Sequence, residues 1–261
     1  MIMYGKLGPD ELKKFLKVDE NYRVDALLTF GTYVKSKAYL RFENSLTALR
    51  IKVKKETIQN NFFSNVRVVT TAYGRLWFDA IYGCAYASEL AHFASVLGAK
   101  AIIHIGSFGA LKSEMKTGDI IIPSKAYGEE SVTRMYRREN AKLFVAADES
   151  LCKELAESIS IPYKKDESVI SIQAMMAETA EDLDDWSGAG YTGVEMECAG
   201  LFSVAEHFGV PAAAIMCVAD NLVDGSLVTN LDYAASLDIR ETSMRRMMEA
   251  AIKSALGRMR K

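Results

Sequence analysis

Proline is scarce in this sequence, with four in 261 residues, and no Pro- or Ser-rich stretch interrupts it. Without such a linker or an internal repeat, one domain over residues 1–261 is expected, near the upper limit for a single core. Its first 20 residues, rich in Lys, Asp and Glu, read as a peripheral segment. The four cysteines, Cys84, Cys152, Cys198 and Cys217, are far apart and form no C-x-x-C pair, so they read as small hydrophobes. The three histidines, His92, His104 and His207, form no H-E-x-x-H arrangement, and no metal is expected. An excess of charge is missing too. Lys plus Arg total 32 against 34 Asp plus Glu, so a net −2 exerts no global pull on a polyanion, and no nucleic-acid partner is expected. A local basic pocket for one small anion stays open. No apolar run reaches the roughly 18 residues of a membrane span. The N-terminus MIMYGKLGPDELKKF lacks a basic–apolar–small signal pattern, which points to the cytoplasm and to no membrane partner.

What is present is the composition of an ordinary globular protein, 49% hydrophobic and 25% charged. Short apolar runs alternate with amphipathic stretches. Strands are expected at 26–30, 46–53, 66–71, 101–105, 119–122 (stopped by Pro123), 168–173 and 212–218. Helices are expected at 33–40, at 88–97 with Gly98 as its C-terminal stop, at 148–158 with Asp148 as N-cap, at 178–186 and at 199–208. The last helix is the clearest. Met244, Met247, Met248, Ala251, Ile252, Ala255 and Leu256 fall at i, i+3, i+4, i+7, i+8, i+11 and i+12, a core-facing stripe. Such alternation implies an α/β fold, a largely parallel or mixed sheet with helices on both faces.

Ligands of open α/β sheets bind beyond the carboxyl ends of the strands, so the residues following each strand hold the chemistry. Four places stand out. In Gly193-Val-Glu-Met-Glu-Cys-Ala-Gly200, Glu195 and Glu197 enter an apolar segment at a helix start. A carboxylate there can accept two sugar hydroxyls, or it can cap the helix. In Ile105-Gly-Ser-Phe-Gly-Ala110, the small-residue turn Gly106 to Gly109 lets backbone N–H groups approach an anion, and Ser107 adds a donor. Asp220, in Val218-Ala-Asp-Asn221, is an acid at a strand end, placed for proton donation or for an Asx turn. In Thr29-Phe-Gly-Thr-Tyr-Val-Lys35, Gly31 and Lys35 form a second possible anion cradle.

Taken together, GVEMECAGLF, IIHIGSFGAL and CVAD, with TGDIIIPSKAY and YGCAYASEL, resemble the nucleoside phosphorylase family of uridine phosphorylase and hexameric purine nucleoside phosphorylase. The likeness runs from about Val24 to Leu256. It implies a three-layer α/β/α fold with a central mixed, partly barrel-like sheet. It also implies cleavage of a nucleoside's N-glycosidic bond by phosphate, giving free base and ribose 1-phosphate. Inorganic phosphate would be a co-substrate and no cofactor would be needed. By resemblance, Glu197 accepts the ribose hydroxyls, with Met196 against the sugar and Glu195 beside it. Ser107, Gly106 and Gly31 hold phosphate, and Asp220 protonates the leaving base. The family assembles as hexamers built from dimers, so a homo-oligomer, hexamer or dimer, is implied.

The departures from the family are specific. Its first loop reads P-G-D-P-x-R, against F-G-T-Y-V-K here, so Lys35 replaces an arginine. The family's other phosphate arginine is His104 here, an imidazole that a bound phosphate would favour in its charged form. Arg41 and Arg50 are candidates to compensate across a subunit interface. An aromatic base-stacker is replaced by Met175-Met176 with Gln173 nearby, and the uracil-reading Gln-x-Arg is not evident in Ala177 to Leu183. Asp220 leans toward a purine. The loop Gly128-Glu-Glu-Ser-Val-Thr-Arg134 replaces D-E-G-T-S. Two alternatives stay open: a nucleoside hydrolase of the same fold, although Gly31 to Arg41 holds no glutamate, and a non-catalytic nucleoside-binding protein.

Overall fold

The computed structural model describes residues 4–138, 143–227 and 236–261. Along the chain run α1 (Pro9–Leu16), β1 (Ala26–Gly31), α2 (Lys35–Ala48), β2 (Lys54–Glu56), β3 (Arg67–Thr71), β4 (Gly74–Ile81), α3 (Cys84–Val96), β5 (Ile102–Ala110) and β6 (Ile120–Gly128). Then come α4 (Ser131–Arg137), β7 (Phe144–Ala146), α5 (Glu149–Ser158), β8 (Lys164–Ser171), α6 (Ala180–Gly188), β9 (Gly193–Glu195), α7 (Cys198–Phe208), β10 (Ala212–Asn221) and α8 (Leu237–Arg260).

The strands form one mixed sheet. β1 lies between β4 and β5, parallel to both, and β10 runs parallel to β5 on the other side. β10 pairs with β6, β6 with β8, β8 with β9, and β9 returns to β5. That circuit closes five strands into a partial barrel, while β1, β4, β3 and β2 continue as an open wing. The expected mixed, partly barrel-like α/β architecture is the one observed.

Pleating sends alternate residues to two cores. On β1, Leu27 joins the core beneath α3 and α7, whereas Ala26, Leu28 and Phe30 join the core beneath α2, α5 and α8. The α8 stripe from Met244 to Leu256 is buried in the second core as its spacing predicts. Each such large side chain contributes roughly 1.5–3 kcal/mol by leaving water. In the segment expected to be peripheral, Leu12 and Leu16 of α1 are buried in the first core with Phe63 and Trp77. Among the described residues no helix is long and apolar enough to cross a membrane.

Several elements differ from the sequence reading. Residues 46–53 are not a strand: α2 continues to Ala48, because Phe42, Ser45 and Leu46 repeat at helical spacing and are all buried. Strand pairing begins only at Lys54. The hairpin strand β4 was not anticipated, although Trp77 and Phe78 are completely buried on it. Pro123 does not end β6. The register shifts on both sides of it, and these irregularities accommodate the missing N–H. The Gly106–Gly109 turn is instead the second half of β5, held straight by its pairing with β10. Asp148 caps α5 as expected, accepting from Leu151 N at 2.7 Å.

Candidate functional site

β8 and β9 run antiparallel to β1, β5 and β10, and the acids Glu195 and Glu197 lie at the carboxyl end of β9, where it leads into α7. Each has a different employment. Glu195 Oε2 accepts from the backbone N–H of Glu197 (2.7 Å) and of Cys198 (2.8 Å), and its Oε1 accepts from Ser171 Oγ. Ser171 Oγ in turn accepts from Ala199 N at 2.9 Å. A helix leaves its first N–H groups unpaired and positive, and Glu195 with Ser171 satisfies those of α7. Capping is thus done by Glu195, which leaves the Glu197 carboxyl free of that task.

Glu197 sits at the N-cap position of α7 with its side chain directed elsewhere. Its Oε1 accepts from Gly83 N, at the head of α3, at 2.6 Å. Its Oε2 lies 3.8 Å from His104 Nε2. His104 is completely buried, and its Nδ1 is 2.9 Å from Thr29 Oγ1. Nε2 has no hydrogen-bond partner. Burial lowers the imidazole to about 3, while burial and the neighbouring Glu195 charge raise the Glu197 carboxyl to about 8. Burial thus keeps the imidazole uncharged near pH 7 and favours the protonated form of the Glu197 carboxyl. Without a bound anion, burial therefore holds His104 uncharged near neutral pH.

Gly31 and Gly106 close in on the same spot. A Cβ at Gly31 would lie 3.4 Å from both Glu197 Oε2 and His104 Nε2, and one at Gly106 would lie 2.7 Å from Nε2. A side chain at Gly106 would clash with the His104 ring, whereas at Gly31 it would make a tight contact with the ring and with Glu197.

Ser107 belongs to a different cluster. Its partner in register is Cys217, which is buried beneath α8, and Arg240 Nη2 of α8 donates to Ser107 Oγ at 3.4 Å. The same guanidinium and that of Arg41 hold down the Cys217 thiol, which burial nevertheless raises to about 11. Arg41, 10% exposed, donates to Glu241 through Nε (3.1 Å) and Nη2 (2.6 Å). Arg50 is exposed in the left-handed region beyond α2. The Lys35 Nζ lies 5.3 Å from the centre of the Tyr86 ring.

Asp220 is half-buried within β10, not beyond it, at the register shift between Val218 and Asp220. The Asx-turn role falls to Asn221, whose Oδ1 accepts from Val223 N and Asp224 N at 3.0 and 3.1 Å. Glu178 is half-buried near Asp220; burial first, then the Asp220 charge, raises its carboxyl to about 7. Tyr33 and Tyr82 stack near Glu197, with ring centres 3.8 Å apart and hydroxyls hydrogen-bonded. Met196 is buried in a small cluster with Ile170, Ile172 and Tyr191. Gln173, Met175 and Met176 lie out at the surface, Met176 being 90% exposed.

Arg240, Glu178, Ser171 and the tyrosine pair were missed in the sequence. Arg240 lies off the α8 stripe and reads as a solvated charge, and Ser171 reads as an ordinary strand residue. Only the position of Tyr82 directly after an apolar run would have drawn attention to it. Among the described residues one metal-like grouping occurs: His104, Glu195 and Cys198 bring ligand atoms within 4.8 Å of one another. The Glu195 oxygens in this grouping already serve the N–H groups at the head of α7 and Ser171. A cleft of about 420 Å³ between α2 and α8 is lined by Lys37, Arg41, Glu241 and Arg245 but by neither Ser107 nor Glu197.

A uridine phosphorylase structure from Vibrio fischeri ES114 superposes with TM-score 0.72 at 20% identity, covering 93% of this chain and 96% of that one. Purine nucleoside phosphorylase from Toxoplasma gondii, in complex with immucillin-H, gives 0.71 at 16%, covering 92% and 93%. These likenesses are of fold. In sequence, the chain is 31% identical over 199 residues to a DeoD-type purine nucleoside phosphorylase of Tolumonas auensis, spanning 75% of this chain and 78% of the relative. It is 30% identical over 149 residues to a guanosine phosphorylase of Halorubrum lacusprofundi, spanning 55% and 60%. The family model described as the phosphorylase superfamily matches residues 51–253, the stretch that carries His104, Glu195, Glu197 and Asp220, and the chain belongs to that superfamily.

Proposed function

We propose that this chain is a nucleoside phosphorylase, transferring the ribosyl group of a nucleoside from its base to inorganic phosphate. The observation that carries the reading is the division of labour in V-E-M-E. Glu195 satisfies the helix, so Glu197 is a buried carboxyl without that duty, facing a glycine-lined recess. Such a carboxyl suits the hydroxyls of a ribose ring.

In this reading, phosphate oxygen attacks C1′, the C1′–N bond breaks, and its electron pair leaves on the base. Asp220 delivers the proton that makes the base a better leaving group. Glu178 beside it keeps a proton up to about pH 7, so the acid pair retains one in the neutral range. Ser107 and the Gly106 backbone receive phosphate, and Arg240 supplies the charge that Lys35 and His104 do not bring there. The negative charge of phosphate also stabilises the cationic sugar of the transition state. A purine base fits the acid at Asp220, and the tyrosine pair offers a stacking surface that the exposed Met175 and Met176 do not. The reading includes no cofactor, a cytoplasmic location and a homo-oligomer, dimer or hexamer, the last open to sedimentation analysis.

The test is base release from a panel of purine and pyrimidine nucleosides with and without phosphate. Release that requires phosphate, with ribose 1-phosphate as co-product, is expected. Equal release in phosphate-free buffer would make the protein a hydrolase, and no release with any nucleoside would overturn the reading.

A further inference from the structure

We infer that Asp79 is a positioning residue: through Tyr86 it fixes the head of α3, and with it the Gly83 N–H that holds the Glu197 carboxyl in place. The inference rests on the nucleoside reading above and concerns residues, Asp79, Tyr86 and Tyr39, to which that reading gives no part.

Asp79 is completely buried on β4, and two phenols grip its carboxyl. Tyr39 of α2 donates to Oδ1 at 2.6 Å, and Tyr86 of α3 donates to Oδ2 at 2.8 Å. Tyr86 packs against the first core and Tyr39 against the second, so one carboxyl ties helices of both layers to the same strand. Burial first, and Asp79 with it, raises both hydroxyls, so each phenol keeps its proton and donates it. Cations stand behind the two rings: the Arg67 guanidinium lies 4.3 Å from the centre of Tyr39 and the Lys35 ammonium 5.3 Å from that of Tyr86. A buried carboxyl is costly where apolar packing alone would join the layers. What it adds is direction, because two hydrogen bonds fix angles that apolar contacts leave loose.

The angle that matters lies three residues before Tyr86. Tyr86 is in the first turn of α3, a helix that starts without a side-chain cap. Its N-cap residue, Gly83, has φ 83°, in the left-handed region that favours glycine. A Cβ there would meet nothing within 4 Å, so glycine serves the backbone angle and not a close approach. In that conformation the Gly83 N–H reaches Glu197 Oε1 at 2.6 Å. Between them, β4 below and the tie to Tyr86 above hold this turn from both ends. Losing the Tyr86 bond frees the first turn of α3 to shift, and the Glu197 carboxyl shifts with its donor.

The experiment measures kcat and KM for a ribonucleoside, and KM for phosphate, in the wild type, Y86F, Y39F, D79A and D79N, and in Y86F combined with E197A. Phe keeps each ring beneath its cation and removes only the hydroxyl. Y86F should lower kcat/KM for the nucleoside about tenfold while KM for phosphate moves less than about twofold. Y39F removes the same kind of bond from the same carboxyl on the α2 side, and should cost less than about threefold. D79A should lose as much as Y86F, and D79N should recover much of it, since an amide can accept from one phenol and donate to the other. In the E197A background, Y86F should cost less than about twofold, because no carboxyl is left to place. Equal costs for Y39F and Y86F, an unchanged Y86F, or the full cost of Y86F persisting in E197A overturns the assignment and leaves Asp79 a structural tie. If D79A does not fold, Y86F and its cycle with E197A decide. Should no nucleoside be turned over, the phosphorylase reading falls by itself. The same cycle is then read in calorimetric affinity for the nucleoside, where coupling of Y86F to E197A supports the positioning role, and additive costs or no binding overturn it.

Discussion

Two clusters stand three residues apart on β5 and differ in nearly every physical respect. Around His104 lie two carboxyls, a neutral imidazole and two glycines, sealed beneath α3 and α7. Around Ser107 lie the guanidinium of Arg240 and, beside Cys217, that of Arg41, brought by α8 and α2. The first cluster is built of buried carboxyls and an uncharged imidazole; the second carries guanidinium cations. The two residues are met by different elements, His104 by Thr29 of β1 and Glu197 at the head of α7, and Ser107 by Arg240 of α8. Spacing along a motif shows which residues are neighbours in the chain and hides which elements meet them.

The largest effects should come from breaking the two acids apart. Glu197→Ala should lower kcat/KM on the order of 100- to 1,000-fold, since it removes a sugar acceptor, with a smaller stability loss because only the Gly83 N–H loses its acceptor. Glu195→Ala should instead unfold more easily, by about 3 kcal/mol in urea titrations, because two backbone N–H groups and Ser171 lose their acceptor. Similar stability losses in the two variants would dissolve the distinction.

Next comes the cationic cluster. Arg240→Ala should raise the KM for phosphate about 10- to 100-fold, the worth of a charge-assisted contact, with a much smaller change in the KM for nucleoside. A rise confined to the nucleoside would move Arg240 out of the phosphate site.

The uncharged cluster should leave its mark on stability against pH. His104 titrates at about 3 when folded, against 6.5 ordinarily, so the unfolded chain takes up a proton that the folded one refuses. That contribution is complete above about 6.5 and is lost as pH falls toward 3. Glu197, raised from 4.5 to about 8, acts in the opposite sense. Its proton favours the folded state, and stability drains as pH rises from 4.5 to about 8. Urea midpoints at pH 5, 7 and 9 should therefore flatten on the acid side in H104N and on the alkaline side in E197Q. Unchanged slopes would mean that both groups titrate normally.

The smallest effect belongs to Lys35. Its ammonium over the Tyr86 ring is worth roughly 0.5–1 kcal/mol, and Lys35→Ala should move the KM for phosphate less than about threefold. A large rise would return Lys35 to the anion cradle.

Much of this molecule was legible in order. Periodicity located α8, α5 with its Asp148 cap, and the buried strands β1 and β10, because burial on one face writes itself into local spacing. Errors came where local signals had a tertiary competitor. A G-S-F-G stretch is a turn by composition and a strand by its pairing with β10, and Pro123 is a stop by rule but is tolerated at an irregularity of β6. Residues 46–53 alternate like a strand, yet their first part completes the buried face of α2.

The sequence by itself determined the α/β class, the family through V-E-M-E with G-S-F-G, and the choice of Glu195, Glu197, Ser107 and Asp220 as the residues to watch. These are properties of order and spacing, which a chain carries before it folds. Only the tertiary structure decided which glutamate caps the helix, that His104 is neutral, and that Arg240 reaches Ser107 from α8. Burial, sidedness and long-range pairing arise when the barrel closes and buries polar groups, and no local window of sequence contains that closure.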